Sequence, residues 1–338
     1  YYCQDAFEGL ATLDRVMTAV RACEPLPVLT RGGRVVSSEE TGYDPVRAVT
    51  PTLERAGPPP GTRSDVQPAA VIPRPPFWGA RVVRGIPLRD IFPFINTTAL
   101  FRGQWQYQRG QRGEGEDAAF IENEVQPVLR RMQERAIAEQ LLVPQAVYGW
   151  FPARAEGDDL LAWPGFEGGA PTGEPVRFHF PRQADGRHLC IADFFRGGEG
   201  EYDVLGIALV TMGPKATEFA KELFAANEYR DYLHFHGFAV ESAEALAELW
   251  HKRMREELGI AGADGATVKE LFQQQYQGAR YAFGYPACPD LEEQKGIDTL
   301  LQPLRIGVEL SETFQWHPEQ TTASLMVHHP EARYFVVK

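Results

Sequence analysis

Proline is concentrated in one segment, and that segment limits how the rest of the chain can fold. Eight of the 26 prolines fall between Pro51 and Pro76, where large apolar residues are scarce until Phe77. Proline-rich segments favour extended backbone and act as semi-rigid spacers. The chain is therefore predicted to contain an N-terminal segment (1–25), a linker (26–76) and one large domain (77–338).

The N-terminal segment carries apolar residues at helical spacing, namely Leu10, Leu13, Val16, Met17 and Val20. We interpret it as the last helix of a domain that precedes the linker. An ordinary N-terminal helix is the alternative.

Helical and strand-like segments are interleaved without a regular repeat in the large domain. Strand-like patterns fall at 146–151, 176–180, 188–194, 204–211, 324–329 and 333–337, and helical patterns at 125–137, 215–258, 268–275 and 293–301. A parallel sheet requires strands and helices to alternate regularly. We therefore predict an α+β fold with a mostly antiparallel central sheet and flanking helices.

Charge and composition exclude several classes of protein. The chain has 46 Asp+Glu against 34 Lys+Arg, a net charge of -12, which disfavours binding to nucleic acid. No apolar run approaches the roughly 18 residues of a membrane-spanning helix. The 4 cysteines form no C-x-x-C pair, so we predict reduced thiols and a cytoplasmic location rather than a disulfide scaffold or a structural zinc site.

Motifs of the common catalytic sites are absent or fail on chemical grounds. The glycines at 197–200 are flanked by Glu199, Glu201 and Asp203, whose carboxylates would repel a phosphate. The chain has no H-E-x-x-H metal motif and no G-x-S-x-G nucleophile elbow. We therefore predict neither metal ligands nor catalytic acid–base residues.

The most unusual stretch is residues 276–289, YQGARYAFGYPACP. Pro286 and Pro289 fix φ and Gly284 permits turn geometry, which predicts a stiff and ordered loop. Arg280 at the start of this loop offers a planar fork suited to a carboxylate. From these residues alone, a binding loop and a structural turn are both open.

This stretch resembles the R-x-x-x-G-Y-P-A-C-P loop of the activation, or reactivation, domain of cobalamin-dependent methionine synthase. Further segments resemble the same family in the same order: GWFPA (149–153), GDD (157–159), CIADF (190–194) and LSETF (310–314). The resemblance extends over residues 87–338. In addition, residues 2–10 resemble the end of the cobalamin-binding domain that precedes this module in the family.

The resemblance implies a methyltransferase component that binds S-adenosylmethionine and donates its methyl group to cob(I)alamin. This reductive methylation rescues inactive cob(II)alamin and so supports methyl transfer from methyltetrahydrofolate to homocysteine. The implied partners are the cobalamin-binding domain of the same polypeptide, which holds most of the cobalamin, and a flavodoxin-like or other reductase. Zinc is implied only for upstream modules. Because cob(I)alamin is already a strong nucleophile, no catalytic residue is expected in this chain.

The resemblance also implies which side chains bind the charged part of the ligand. Arg280 is expected to hold the carboxylate of S-adenosylmethionine. Asp90 and Glu244 are expected near its cationic end, where a surface turn or helix N-cap for Asp90 and a solvated helix face for Glu244 are the structural alternatives.

The remaining implied contacts lie in the loop and at the end of the chain. Backbone around Ala282 and Gly284 is expected to contact the adenosyl group, and Tyr285 to lie close to the ligand and the corrin. Tyr334 and Phe335, on the predicted last strand, are expected to close the pocket.

Two other functions remain open for this domain. It could sense S-adenosylmethionine and clamp the cobalamin domain without transferring the methyl group, or it could be a purely structural docking domain that binds no ligand.

Overall fold

The computed structural model describes residues 30–31, 34–35 and 61–337. The chain forms two compact units, Tyr1–Arg55 and Ala56–Lys338. In the first unit, strands β1 (Thr30–Arg31) and β2 (Arg34–Val35) pair in antiparallel fashion. The helix expected within residues 1–25 lies outside the described residues.

The second unit is built on a seven-stranded sheet in which every pair of neighbouring strands is antiparallel. In chain order its strands and the shorter hairpin strands are β3 (Gly79–Val83), β4 (Gln145–Glu156), β5 (Asp159–Ala162), β6 (Gly165–Glu167), β7 (Ala170–Thr172), β8 (Val176–His179), β9 (Asp203–Thr211), β10 (Ala279–Tyr281), β11 (Glu309–Leu310), β12 (Trp316–His317) and β13 (Thr321–Val327). The sheet order is β10-β13-β9-β4-β5-β8, with β3 beside β4, while β6-β7 and β11-β12 form separate pairs.

Helices cover both faces of this sheet. The α-helices found among the described residues are α1 (Leu88–Ile91), α2 (Glu114–Phe120), α3 (Gln126–Ala138), α4 (Pro214–Ala225), α5 (Tyr229–Glu257), α6 (Val268–Phe272) and α7 (Gln294–Leu301). Short π-helical turns span Ala99–Gln104 and Ile121–Val125, and 3₁₀ turns span Phe92–Phe94, Ile191–Phe194, Ala261–Ala263 and Pro303–Ile306. The long helix α5 packs against β9 and β13 on one face, and α7 contacts the sheet on the other.

The alternation of side chains along β4 divides the interior into two cores. Tyr148 and Trp150 belong to the core under α5, whereas Val147 and Phe151 belong to the core on the opposite face. Successive side chains of a strand point to opposite faces. Because both faces are covered, β4 is apolar at nearly every position rather than at every second one.

The α+β fold with a mostly antiparallel sheet and flanking helices is thus confirmed, but two predicted strands are wrong. Residues 188–194 end in the 3₁₀ turn Ile191–Phe194, because the Asp193 carboxylate accepts hydrogen bonds from the Cys190 backbone N–H at 3.0 Å and from Arg182 at 2.6 Å. Residues 333–337 form no strand; Val337 N instead donates to Pro286 O at 3.1 Å.

The segment before β3 contains no helix or strand over residues 61–76, yet it lies against the large domain. Arg196 donates to the carbonyl of Ala69 at 2.9 Å, and the His329 imidazole lies 2.8 Å from the carbonyl of Gln67. These two contacts attach the segment 61–76 to the loops of the large domain that carry Arg196 and His329.

We predict that Gly149→Ala destabilises the fold by about 1–3 kcal/mol, because a Cβ there would overlap the Gly79 backbone across the β3–β4 pair. Gly115→Ala is the matched control. It lies in α2 with open space around it, so the same change is expected to stabilise the protein by about 0.5–1 kcal/mol. Urea-induced unfolding measures both values; an unchanged stability of Gly149→Ala would contradict the close approach of these strands.

Candidate functional site

A cleft of about 370 Å³ opens beside the middle of helix α5. Its wall also includes residues of the 3₁₀ and π-helical region after α1, the end of α6, strand β10 and the loop that follows it. Its polar and aromatic lining includes Glu241, Glu244, Glu248, Arg280, Tyr285 and Tyr334. Four of these residues, Glu244, Arg280, Tyr285 and Tyr334, are among those that the sequence resemblance implies for ligand binding.

Arg280 is the basic residue in the lining of this cleft. It is on β10, opposite Met326 of β13, and its Nη2 donates to Glu248 Oε1 at 2.6 Å and lies 3.6 Å from Glu244 Oε2. Burial by itself would lower the pKa of the guanidinium, but the carboxylates of Glu248 and Glu244 outweigh this effect and raise the pKa above its ordinary value. Arg280 is therefore a fixed cation at every physiological pH.

Helix α5 places three carboxyl groups along one wall of the cleft. Glu241, Glu244 and Glu248 follow one another at intervals of three and four residues, which puts them on the same helix face. Burial, followed by the charge of Glu244, raises the pKa of Glu241 to about 7, against an opposing hydrogen bond from Gln104. The cleft thus pairs one guanidinium with an excess of carboxyl groups, which suits a ligand that carries both charges.

The loop after β10 is held in a stiff turn by its own backbone. Gly284 has φ of 89°, which L-residues avoid, and its N–H donates to Cys288 O at 2.9 Å. Cys288 closes the turn from the other side, because its N–H donates to Tyr285 O at 2.9 Å and its thiol donates to Ala282 O at 3.0 Å. This turn presents the Tyr285 ring at the mouth of the cleft, where 55% of the residue is exposed.

The two residues expected to close the pocket have different positions. Tyr334 lines the cleft and is 42% exposed, so it forms the mouth together with Tyr285. Phe335 is buried in the opposite core, with its ring 5.9 Å from that of Tyr281 and 6.4 Å from that of Phe194. Phe335 therefore supports the Tyr281 end of β10 rather than lining the cleft.

Asp90 is not among the residues that line the cleft. It lies on α1, half exposed, and its Oδ2 is 3.5 Å from Arg253 Nη2 on α5. Phe94 and Asn96, a few residues further along the chain, do line the cleft. Ala282 and Gly284 shape the turn through their backbone and are likewise absent from the lining.

Sequence reasoning missed two acidic residues of the site. Glu248 forms the shortest ion pair with Arg280, and Glu241 is the most buried of the carboxyl groups on this helix face, at 7% exposure. The sequence does show that Glu241 and Glu248 lie at helical spacing from Glu244, and this spacing could have indicated both residues. Without the neighbouring strand, however, that spacing is equally typical of a solvated helix face.

Among the residues that the structure describes, no group of three or more His, Cys, Asp or Glu side chains is arranged to hold a metal ion. None of the helices described is long and apolar enough to cross a membrane.

The fold and the cleft together define an α+β domain whose cleft combines one guanidinium with several carboxyl groups, a lining that suits a small ligand of mixed charge. Residues 87–338 match the family described as vitamin B12 dependent methionine synthase, activation domain, and the chain belongs to this family. It is 44% identical over 357 residues to the methionine synthase of Mycobacterium tuberculosis and 41% identical over 375 residues to that of Mycobacterium leprae. All of this chain is covered in both matches, but it spans only 30% of the length of either relative.

A solved structure has the same fold. It is the crystal structure of the MetH reactivation domain bound to AdoHcy, with a TM-score of 0.70 and 26% sequence identity. The match covers 79% of this chain and 83% of that one.

We predict a pH dependence of stability that comes from Glu241. The pKa of this group is about 7 in the folded protein and 4.5 ordinarily, so between these values the folded state holds a proton that the unfolded chain releases. Stability should therefore fall as the pH rises through this range and then level off. Glu241→Gln is expected to remove this part of the pH dependence and to be more stable than the wild type at pH ~8.

Urea unfolding at several pH values measures the effect of Glu241→Gln. The matched control is Glu134→Gln, which changes an exposed carboxylate on α3. It should leave the change of the unfolding free energy with pH as it is in the wild type. If the unfolding free energies of the wild type and Glu241→Gln changed identically with pH, this would contradict the raised pKa of Glu241.

Proposed function

We propose that the cleft binds S-adenosylmethionine and presents its methyl group to cob(I)alamin carried by a neighbouring domain. The observation that carries this proposal is Arg280, which lies between the acidic face of α5 and the stiff Tyr285 turn within one cleft. The bound AdoHcy of the structurally similar MetH reactivation domain supports the same class of ligand.

The charges of the cleft complement those of the ligand. S-adenosylmethionine carries one carboxylate, one ammonium group and one sulfonium cation. The hydrogen bond and the ion pairs found for Arg280 among the described residues all use Nη2. The donors of its other guanidinium nitrogens are proposed to bind the ligand carboxylate. Glu244, next to Arg280 and 41% exposed in its side chain, complements the cationic end.

Asp90 is proposed as a second carboxylate for the cationic end, although it pairs with Arg253 in this structure. The ion pair is long and half exposed, so it contributes little to stability and leaves the carboxylate free to change partner at small energetic cost. The backbone at Ala282 and Gly284 and the side chain of Tyr285 are proposed to contact the adenosyl group, with Tyr334 facing them at the mouth.

Methyl transfer needs placement rather than acid–base chemistry in this domain. Cob(I)alamin, as the second substrate, supplies a strong nucleophile that attacks the sulfonium methyl carbon, and the sulfur keeps the electron pair of the broken bond. The residues of the cleft hold the sulfonium so that its methyl group faces the opening between Tyr285 and Tyr334. The exposed rings of these two residues offer flat apolar faces suited to a planar macrocycle.

The full reaction is proposed for a longer polypeptide, because the chain spans 30% of the length of its methionine synthase relatives. The cobalamin-binding domain of that polypeptide and a flavodoxin-like or other reductase are the proposed partners. The repaired enzyme then transfers methyl groups from methyltetrahydrofolate to homocysteine. The free, buried thiols of Cys190 and Cys288 support a reducing, cytoplasmic location.

The alternative of a sensing clamp that does not transfer the methyl group is not favoured, because the family that matches is an activation domain. Spectroscopy separates the two functions. The chain is mixed with a cob(II)alamin-loaded cobalamin-binding domain, a reductant and S-adenosylmethionine. We expect the visible spectrum of methylcobalamin; binding of S-adenosylmethionine without this product would leave only the clamp.

We predict that Arg280→Ala weakens binding of S-adenosylmethionine by about 2–4 kcal/mol, or roughly 30- to 1,000-fold, because the ligand carboxylate loses its partner. Arg280→Lys should be intermediate, since it keeps the charge but loses the fork. Isothermal titration calorimetry gives the dissociation constants. Arg130→Ala, at an exposed position on α3, is the matched control and should bind as the wild type does. A change of less than twofold for Arg280→Ala would exclude its role.

A further inference from the structure

A small chamber lies on the inner side of Arg280, between α5 and the sheet. Its walls include Val210 of β9, Thr322 and Ser324 of β13, and His251 of α5. The space amounts to about 10 Å³, which is enough for one water molecule. Arg280 lines both this chamber and the ligand cleft, so it is a residue that the two linings share.

His251 is a buried polar side chain in the wall of this chamber. The residue is 2% exposed, and neither of its ring nitrogens forms a hydrogen bond with any described residue. A buried polar atom without a partner destabilises a protein by about 1–3 kcal/mol. The two nitrogens of His251 therefore indicate a polar partner that occupies the chamber.

The imidazole is neutral in this environment. Burial first, and then the positive charges of Arg255 and Arg280, hold its pKa well below the ordinary value. A neutral imidazole has one N–H donor and one acceptor nitrogen. It can therefore bond to a water molecule without adding a positive charge beside Arg280.

We propose that a water molecule in this chamber bridges the His251 imidazole and the Arg280 guanidinium, and that His251 is thereby a positioning residue for the carboxylate-binding fork. This inference rests on the proposed binding of S-adenosylmethionine. The hydroxyl groups of Thr322 and Ser324, which line the chamber, are available to complete the hydrogen bonds of the water.

Contacts on the other side of the imidazole keep it in place. Its ring meets the Tyr276 ring edge to face at a centroid distance of 5.1 Å, and Tyr276 itself lines the ligand cleft. The Arg255 guanidinium stacks 4.2 Å from the centre of the same Tyr276 ring and bonds to both carboxylate oxygens of Asp264, at 2.9 and 2.7 Å. The Tyr276 ring thus packs against His251, which also lines the chamber.

The test compares two ligands that differ only in the group that Arg280 binds. S-adenosylmethionine and decarboxylated S-adenosylmethionine are titrated into the 338-residue chain, with competition titration for the weaker ligand. For His251→Leu we expect the affinity for S-adenosylmethionine to fall about tenfold and the affinity for the decarboxylated ligand to stay within about twofold. His251→Gln, which keeps a donor and an acceptor, should recover most of the loss.

Met254→Leu is the matched control, because Met254 lines the same chamber but makes no polar contact there. It should leave both affinities unchanged. Equal loss for both ligands in His251→Leu would show a merely structural role and overturn the inference, as would an unchanged affinity for S-adenosylmethionine. Wild-type protein that fails to bind S-adenosylmethionine at all would instead refute the proposed function.

A second measurement applies if His251→Leu does not fold. A crystal structure of the wild type at a resolution that shows ordered waters should place one within hydrogen-bond distance of both His251 and Arg280. A chamber without such a water would overturn the proposal. Its presence, together with an affinity of His251→Gln for S-adenosylmethionine close to that of the wild type, would support it.

Discussion

The ion pair between Arg280 and Glu248 connects the two parts of the structure that form the cleft. One partner is on a short edge strand and the other on a long helix, and the 2.6 Å contact between them spans a residue separation of 32. A guanidinium that is mostly withdrawn from water requires such a carboxylate, because its charge cannot be lost. The ion pairs found for Arg280 among the described residues all use Nη2.

The double-sided core explains how this arrangement is kept rigid. β4 and β9 send alternate side chains into the core under α5 and into the core on the opposite face, so the sheet cannot shift without disturbing both. Helix α5 is held against β9 and β13, and β10 is paired with β13. The acidic helix face and the arginine-bearing strand are therefore fixed to the same neighbour, β13, and the distance between them is set by the core.

Much of the fold could be predicted from apolar patterns, and the errors have identifiable causes. The strand at 204–211 and the helix at 293–301 are found almost as expected, because their burial matches their local preferences. The strand predicted at 188–194 is a turn, since a buried Asp193–Arg182 pair bends an otherwise apolar run. The sequence predicts the residues of β10 to be the start of a loop, because three residues are too few to show a period of two.

By itself, the sequence determined the class of fold, the stiff glycine and proline turn that carries Tyr285, and the family to which the chain is similar. These are local properties, since φ limits and apolar spacing act between near neighbours in the chain. Only the tertiary structure decided that Glu248 is the close partner of Arg280, that Phe335 belongs to the core, and that His251 faces a chamber behind the guanidinium. Such contacts join residues far apart in sequence, and the packing of α5 on the sheet is what brings them within reach of one another.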